Sequence, residues 1–141
     1  MDDFGPLTVD LDDDERRMLA AAMLEWIGPA RPTEAMVVAM GFDRLDTFSD
    51  EVLRLRSSLE RREALSRQDW RRVQLGAEIV FASDLVGSGL DWSIATEFTD
   101  EETIALLRRV QRKMLYERTT TWIPPDARGG RPHAPTPDPP V

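Results

Sequence analysis

Apolar residues recur every three or four positions in the first part of the chain, which predicts an amphipathic helix. Asp12 and Glu15 stand where a capping box would begin this helix, and acids in its first turn suit the positive end of the helix dipole. Gly28 and Pro29 end the pattern. The residues expected on the buried face are Met18, Leu19, Ala22, Met23, Trp26 and Ile27.

Three more helices are predicted between residues 33 and 82. Thr33 is a suitable N-cap for a short helix, either Thr47 or Ser49 for the next, and Ser66 for the third. Segment 73–82 is apolar on nearly every side, so we expect it to lie in the central, most buried helix. Its β-branched residues also suit a buried strand, but the long helical pattern before it favours a helix.

A last helix is predicted to begin at Thr99, with Glu102 placed to complete a capping box. Two other segments alternate with period two instead, which is typical of extended chain with one apolar face. These are residues 7–11 and 90–98, and they are expected to pair as a short two-stranded ribbon. Apolar positions of the second segment are Leu90, Trp92, Ile94 and Phe98.

The predicted fold is a small, mainly α-helical, single-domain bundle of about five helices over residues 1–123. Residues 124–141 are rich in proline and poor in apolar side chains, so they are predicted to form a disordered tail. The acidic start of the chain does not resemble a signal peptide, and no apolar run approaches the roughly 20 residues of a membrane span. We therefore expect a soluble, cytoplasmic protein without membrane contact.

The composition excludes several kinds of catalytic and metal-binding site. The chain has 141 residues, no cysteine and one histidine, and that histidine, His133, lies in the predicted tail. Thiolate sites are excluded, and a base in a disordered segment lacks the fixed geometry that general-base catalysis requires. Asp10, Asp12 and Asp14 alternate as in a calcium loop, but the central glycine of such a loop is missing. No metal site, cofactor or catalytic residue is predicted.

The segment Gly87-Ser88-Gly89 has glycines of the kind that cradle phosphate groups. It lies about ten residues before the predicted helix start at Thr99, and no P-loop lysine follows it. The neighbouring charges are acidic and would repel phosphate. The segment is therefore interpreted as a flexible bend.

The formal net charge of −8 makes nucleic acid an unfavourable ligand and a basic protein a favourable one. We expect a non-catalytic, acidic protein-binding module, such as an inhibitor or immunity-type protein for a basic nuclease toxin. The same apolar face could instead serve a homodimer. The residues expected to bind the partner are Asp91, Trp92, Ile94 and Glu97, together with Asp12, Asp13 and Asp14. Packing of Trp92 onto its own helices is the simpler alternative.

Two other functions remain open from the sequence. A nucleic-acid-associated regulatory protein would use an arginine-rich helical face formed by Arg54, Arg61, Arg62, Arg71 and Arg72. An enzyme would use Glu78, an acid inside the apolar segment, with an arginine of the last helix. A structural ion pair between Glu78 and Arg108, Arg109 or Arg112 is the favoured interpretation, with Gln111 in the same cluster.

Overall fold

The computed structural model describes residues 5–121, with side chains described as far as residue 115. Within this part the chain forms six α-helices, so the predicted mainly α-helical fold is confirmed. Single turns of 3-10 helix, Leu45–Thr47 and Gly89–Asp91, lead directly into the third and fifth helices. The helices are α1 (Asp13–Glu25), α2 (Glu34–Ala39), α3 (Phe48–Glu60), α4 (Arg67–Ala82), α5 (Trp92–Ala95) and α6 (Asp100–Thr121).

The helix starts follow the local capping signals. Asp12 accepts the Glu15 N–H, and the Glu15 side chain accepts the Asp12 N–H, each at 2.8 Å, which is the predicted capping box. Thr33 and Ser66 likewise cap α2 and α4. Thr47, rather than Ser49, precedes α3, although its side chain makes no capping hydrogen bond. The predicted caps of α1, α2 and α4 are confirmed because each depends on residues within one turn of the helix.

Helix α1 lies at the centre of the bundle, in contact with α3, α4 and α6. Its residues Met18, Leu19 and Met23 are completely buried. The prediction that residues 73–82 form the central helix is wrong. Helix α4 buries one face, while its apolar residues Leu75 and Ile79 pack only partly against the core.

The predicted ribbon between residues 7–11 and 90–98 is also wrong. Residues 89–95 are helical, and residues 5–121 contain no strand. Leu7 instead makes an isolated antiparallel bridge with Leu65, with N–H···O distances of 2.8 and 3.1 Å. This bridge holds the segment before α1 against the start of α4, and Val9 and Leu11 enter the core from it.

The predicted tail, residues 124–141, lies outside the described residues. Among the helices that are described, none combines the length and apolar character needed to cross a membrane.

Candidate functional site

The connection between α4 and α6 begins with a glycine bend packed against the end of α4. Gly87 N–H donates to Ser83 O at 3.1 Å, and Ser88 N–H donates to Val80 O at 2.7 Å. A Cβ atom at Gly87 would lie 2.6 Å from the Val80 backbone, so a larger residue does not fit. The bend therefore closes the C-terminal end of α4.

Further hydrogen bonds fix the same bend to other parts of the molecule. The buried Ser88 hydroxyl donates to Glu25 Oε1 at 2.9 Å, at the end of α1. Val86 O accepts the Arg31 N–H at 2.7 Å. Asp84 Oδ1 accepts the Leu90 N–H at 2.9 Å, which brings Leu90 back beside the position of Asp84. The predicted flexible bend is thus held from several sides.

Trp92 points into the bundle. It is completely buried, its Nε1 donates to Thr103 Oγ1 at 2.7 Å, and its ring meets Phe81 edge-on at 5.7 Å between centroids. The assignment of Trp92 as a partner-binding residue is therefore wrong, and the simpler alternative of packing onto its own helices is confirmed. Ile94 is 83% exposed, so the alternating pattern does not put these two side chains on one face.

The helical turn explains this separation. Leu90 and Ile94 are four residues apart and share one side of the turn formed by residues 89–95, whereas Trp92 lies between them on the opposite side. In an extended segment all three would have faced the same way. The alternating pattern of so short a segment is compatible with either conformation. Here the chain enters a helical turn at Gly89, whose φ of +46° glycine adopts readily.

Three large apolar side chains are consequently left in solvent close together in the chain. Leu85 is 88% exposed, Leu90 79% and Ile94 83%. Asp84 and Asp91 are exposed beside them. We refer to these five residues as the 84–94 surface.

The 84–94 surface lies in a part of the chain without positive charge. Residues 73–107 contain no lysine, arginine or histidine, and their seven acids are Glu78, Asp84, Asp91, Glu97, Asp100, Glu101 and Glu102. Glu97 lies 3.6 Å from Arg17, measured between Oε1 and an arginine terminal nitrogen. Asp91 has no ion-pair partner among the described residues. The surface therefore combines three exposed apolar residues with two acids and carries no basic residue.

The other predicted docking residues, Asp12, Asp13 and Asp14, are exposed but lie beside arginines. Asp12 is 3.5 Å from Arg109, and Asp14 is 2.6 Å from Arg17. Asp13 pairs with Arg62. The acidic block is thus joined by ion pairs to α1, α6 and the end of α3, and its charge is largely compensated within the fold.

Glu15, at the end of the acidic block, is completely buried. Its Oε1 accepts from the Asp12 N–H and from Lys113 Nζ, and its Oε2 lies 3.6 Å from Arg109 Nε. A buried carboxylate is stable only when it is paired and hydrogen-bonded. The capping signal identified Glu15, but nothing in the local sequence indicated the cations of α6.

Most residues of the proposed arginine-rich face are also paired. Arg54 donates two 3.0 Å hydrogen bonds to the buried Asp69, and Arg72 donates to Asp69 at 2.9 Å and to Gly41 O at 2.8 Å. Arg61 lies 4.0 Å from Glu63, and Arg62 pairs with Asp13 as described. Arg71 is exposed. The face therefore consists mainly of structural ion pairs between neighbouring segments.

Asp69 is the anchor of this arrangement. Burial alone would raise the pKa of the Asp69 carboxyl, but the hydrogen bonds from Arg54 and Arg72 outweigh it and hold that pKa below its ordinary value. The hydrogen bond to Asp69 correspondingly raises the pKa of Arg54. Near neutral pH, Asp69 is therefore ionised in the folded protein and pairs with the charged Arg54 and Arg72.

Glu78 makes its described contacts with amides rather than with the predicted arginines. Its Oε2 accepts from Gln74 Nε2 at 3.2 Å and from Gln111 Nε2 at 2.8 Å. Arg108 donates to Gln111 Oε1 at 2.7 Å, so it approaches Glu78 only through that amide. The prediction that Gln111 joins this cluster is confirmed, and the expected direct ion pair is replaced because the amide of α6 occupies the facing position.

A surface groove of about 720 Å³ lies between α1, the segment before α6, and α6 itself. Its apolar lining is formed by Phe98, Ala105 and Leu106. The charged residues along it are Asp14, Arg17, Glu97, Glu102, Arg108, Arg109 and Arg112. The groove therefore offers both signs of charge, in contrast to the 84–94 surface.

No family model, curated protein or solved structure matches this chain.

Proposed function

We propose that this chain is a non-catalytic binding module that docks a basic protein partner on the 84–94 surface. The observation that carries the proposal is the near-complete exposure of Leu85, Leu90 and Ile94 on a segment that is otherwise firmly held. Apolar side chains in solvent contribute nothing to the core of this fold. A grouped, exposed apolar surface is typical of interaction sites.

The fixed backbone supports this function. The segment that carries the three side chains is attached to α4 through Ser88, to α1 through Glu25 and to the segment after α1 through Arg31. A surface that is already ordered loses little conformational entropy when a partner binds. The held bend therefore favours recognition over simple flexibility.

The charge pattern indicates the class of partner. Asp84 and Asp91 adjoin Leu85 and Leu90 in the chain, and no basic residue occurs between Arg72 and Arg108. An acidic surface favours a basic partner by accelerating association and by repelling acidic proteins. This is the arrangement expected of an inhibitor-type protein that covers a basic cleft.

The same charge pattern disfavours a second copy of the chain on this surface. Two such surfaces brought face to face would place acids opposite acids, which is repulsive. The arginine-rich face is not proposed as a nucleic-acid site, because Arg54, Arg62 and Arg72 hold carboxylates of their own chain. Glu78 is proposed to be structural, held by its two glutamine amides.

The test is capture of partners by the full chain from an extract of the source cells, followed by binding titration of each identified protein. The substituted chain carries Leu85→Ser, Leu90→Ser and Ile94→Ser. The control carries Val38→Ser and Leu53→Ser, which are exposed apolar residues of other helices. We expect a basic partner whose affinity falls by about 100-fold or more in the substituted chain, which corresponds to the loss of at least one hot-spot contact. The control should bind as the unchanged chain does.

Two results would contradict the proposal. One is a specific partner that binds the triple-serine chain as tightly as the unchanged chain. The other is a partner that is acidic and binds more tightly as salt is raised, because an acidic surface should give binding that salt weakens.

A further inference from the structure

Helix α6 has an outward face that the fold leaves uncovered. Its core side is formed by Thr103, Leu106, Leu107, Val110 and Met114, all buried. On the opposite side Glu101, Ala105, Arg108 and Arg112 are exposed. Glu101 and Arg112 are separated by 11 residues, or about three turns, so their side chains leave the helix in nearly the same direction.

The charge along this face changes sign once. The first turn is acidic, with Asp100, Glu101 and Glu102, and the basic residues Arg108, Arg109, Arg112 and Lys113 follow. Arg109 and Lys113 lean toward the buried Glu15 of α1. Glu101 and Arg112 have no ion-pair partner among the described residues, so both charges remain available at the surface.

A helix with this order of charges is complementary to itself when two copies run antiparallel. The acidic turn of each copy then lies beside the basic turns of the other, and the same contacts occur twice about a two-fold axis. With Glu101 opposite Arg112, the axis passes between residues 106 and 107. Ala105 is then close to the axis, and its small side chain allows two helices to approach to the usual 8–10 Å.

We infer that this chain forms a homodimer through the outward face of α6, with the two α6 helices antiparallel and Glu101 of each copy beside Arg112 of the other. Ala105, Arg108 and Arg112 of this face also line one side of the groove beside α1. Ile104 and Leu115, both about half exposed, flank the charged residues on the side toward α4.

A second copy is the occupant that the charges favour. A uniformly acidic or uniformly basic helix would satisfy one end of the face and oppose the other, whereas α6 satisfies both ends. The inference does not rest on the 84–94 surface, whose charge has a single sign. Loss of the basic partner in the serine-substituted chain and loss of the dimer are therefore separate results.

The first measurement is the mass of the full chain by sedimentation equilibrium, at low and at high salt. We expect twice the mass of one chain at low salt, and a shift toward the single-chain mass as salt screens the ion pairs. A single-chain mass at every concentration and salt would overturn the inference.

The second measurement exchanges the paired charges. Glu101→Arg alone places like charges together at both ends of the contact, and Arg112→Glu alone does the same. Each is expected to weaken dimerisation by about tenfold or more, because two ion pairs become repulsive. The two substitutions combined in one chain should restore the dimer, and mixing the two single-variant chains should give a mixed dimer.

Matched controls separate pairing from net charge. Asp43→Arg and Arg71→Glu change the net charge equally at exposed positions on other segments, and they are expected to leave the dimer intact. Helix content and melting temperature of every variant show that it is folded. Equal weakening by the controls, unchanged dimerisation in both single variants, or failure of the combined variant to recover would each overturn the proposed pairing.

Discussion

Two regions of this protein carry acidic residues but differ in whether those acids form ion pairs within the chain. In the block Asp12–Glu15, each carboxylate lies beside an arginine or lysine of the same chain. On the 84–94 surface, Asp91 has no such partner within the described residues, and Leu85, Leu90 and Ile94 are exposed beside it. The first region joins helices together, and the second faces solvent.

The difference comes from the positions of the basic residues in the fold. Arg109 and Lys113 of α6 lie beside the start of α1, and Arg62, which follows α3, lies there too. Segment 73–107, which contains the 84–94 surface, has no basic residue of its own. Acidic composition alone therefore does not identify a docking surface. A carboxylate that already forms an ion pair within its own chain attracts a basic partner less strongly than an unpaired one.

The largest expected effect distinguishes the inner and outer sides of the α5 turn. Trp92→Ala should lower the free energy of unfolding by about 3–5 kcal/mol, because it removes a completely buried aromatic side chain and its hydrogen bond to Thr103. Ile94→Ala should change it by no more than about 0.5 kcal/mol, as is usual at exposed positions. Urea unfolding of both variants provides the measurement. Similar losses would show that the two sides of the turn do not differ as described.

A smaller difference in the free energy of unfolding is expected between removing a paired acid, Glu15, and removing an unpaired one, Asp91. Glu15→Ala removes half of the capping box and leaves Arg109 and Lys113 without their buried partner. Both cations are partly exposed and can turn to water, so we expect a loss of about 2–3 kcal/mol, below the full cost of breaking a buried pair.

Asp91→Ala is the matched variant on the 84–94 surface, and its effect on stability should be within about 0.5 kcal/mol. Thermal and urea unfolding of the two variants test the comparison together. It would have to be abandoned if Asp91→Ala were as destabilising as Glu15→Ala.

The smallest of the three effects concerns Asp69, a paired acid whose contribution should depend on pH. Asp69→Asn is expected to cost about 1–2 kcal/mol near neutral pH, because hydrogen bonds between charged groups are lost and Arg54 is partly exposed. Since the pKa of Asp69 is lowered in the folded state, its contribution is present above the ordinary carboxyl pKa and is lost as pH falls below it.

The stability difference between the unchanged chain and Asp69→Asn should therefore be constant around neutrality and shrink below about pH 4. Urea unfolding at a series of pH values gives this difference directly. A gap that widens as the solution becomes acidic would contradict the assigned role of Asp69. Asp91→Asn serves as the control, for which little change with pH is expected.

The parts of the fold that were predictable from the sequence depend on neighbouring residues. Asp12 with Glu15, Thr33 and Ser66 mark helix starts because a capping side chain reaches a backbone N–H only three positions away. The placement of Gln111 near Glu78 was also predictable, since a polar residue in an apolar stripe requires a polar neighbour.

The candidate site was predictable only in part. Ile94 and Asp91 were assigned to it and are exposed, whereas Trp92 was assigned to it and is buried. Leu85 was not predicted, because a single leucine beside a glycine bend has no distinctive pattern. The conformation of residues 89–95 depends on contacts of the bend with Val80 and Asp84, which no short-range pattern reveals.

The sequence by itself determined that the chain is mainly helical and where most helices begin, because caps and helical periodicity act over a few residues. It also determined that residues 73–107 carry acids without bases. Only the tertiary structure decided which acids are compensated, that α1 rather than α4 is central, and that Trp92 faces inward while Leu90 and Ile94 face solvent. Those outcomes depend on contacts between separate helices, such as Glu15 of α1 with Lys113 of α6 and Trp92 of α5 with Thr103 of α6, and these contacts are set by how whole helices pack.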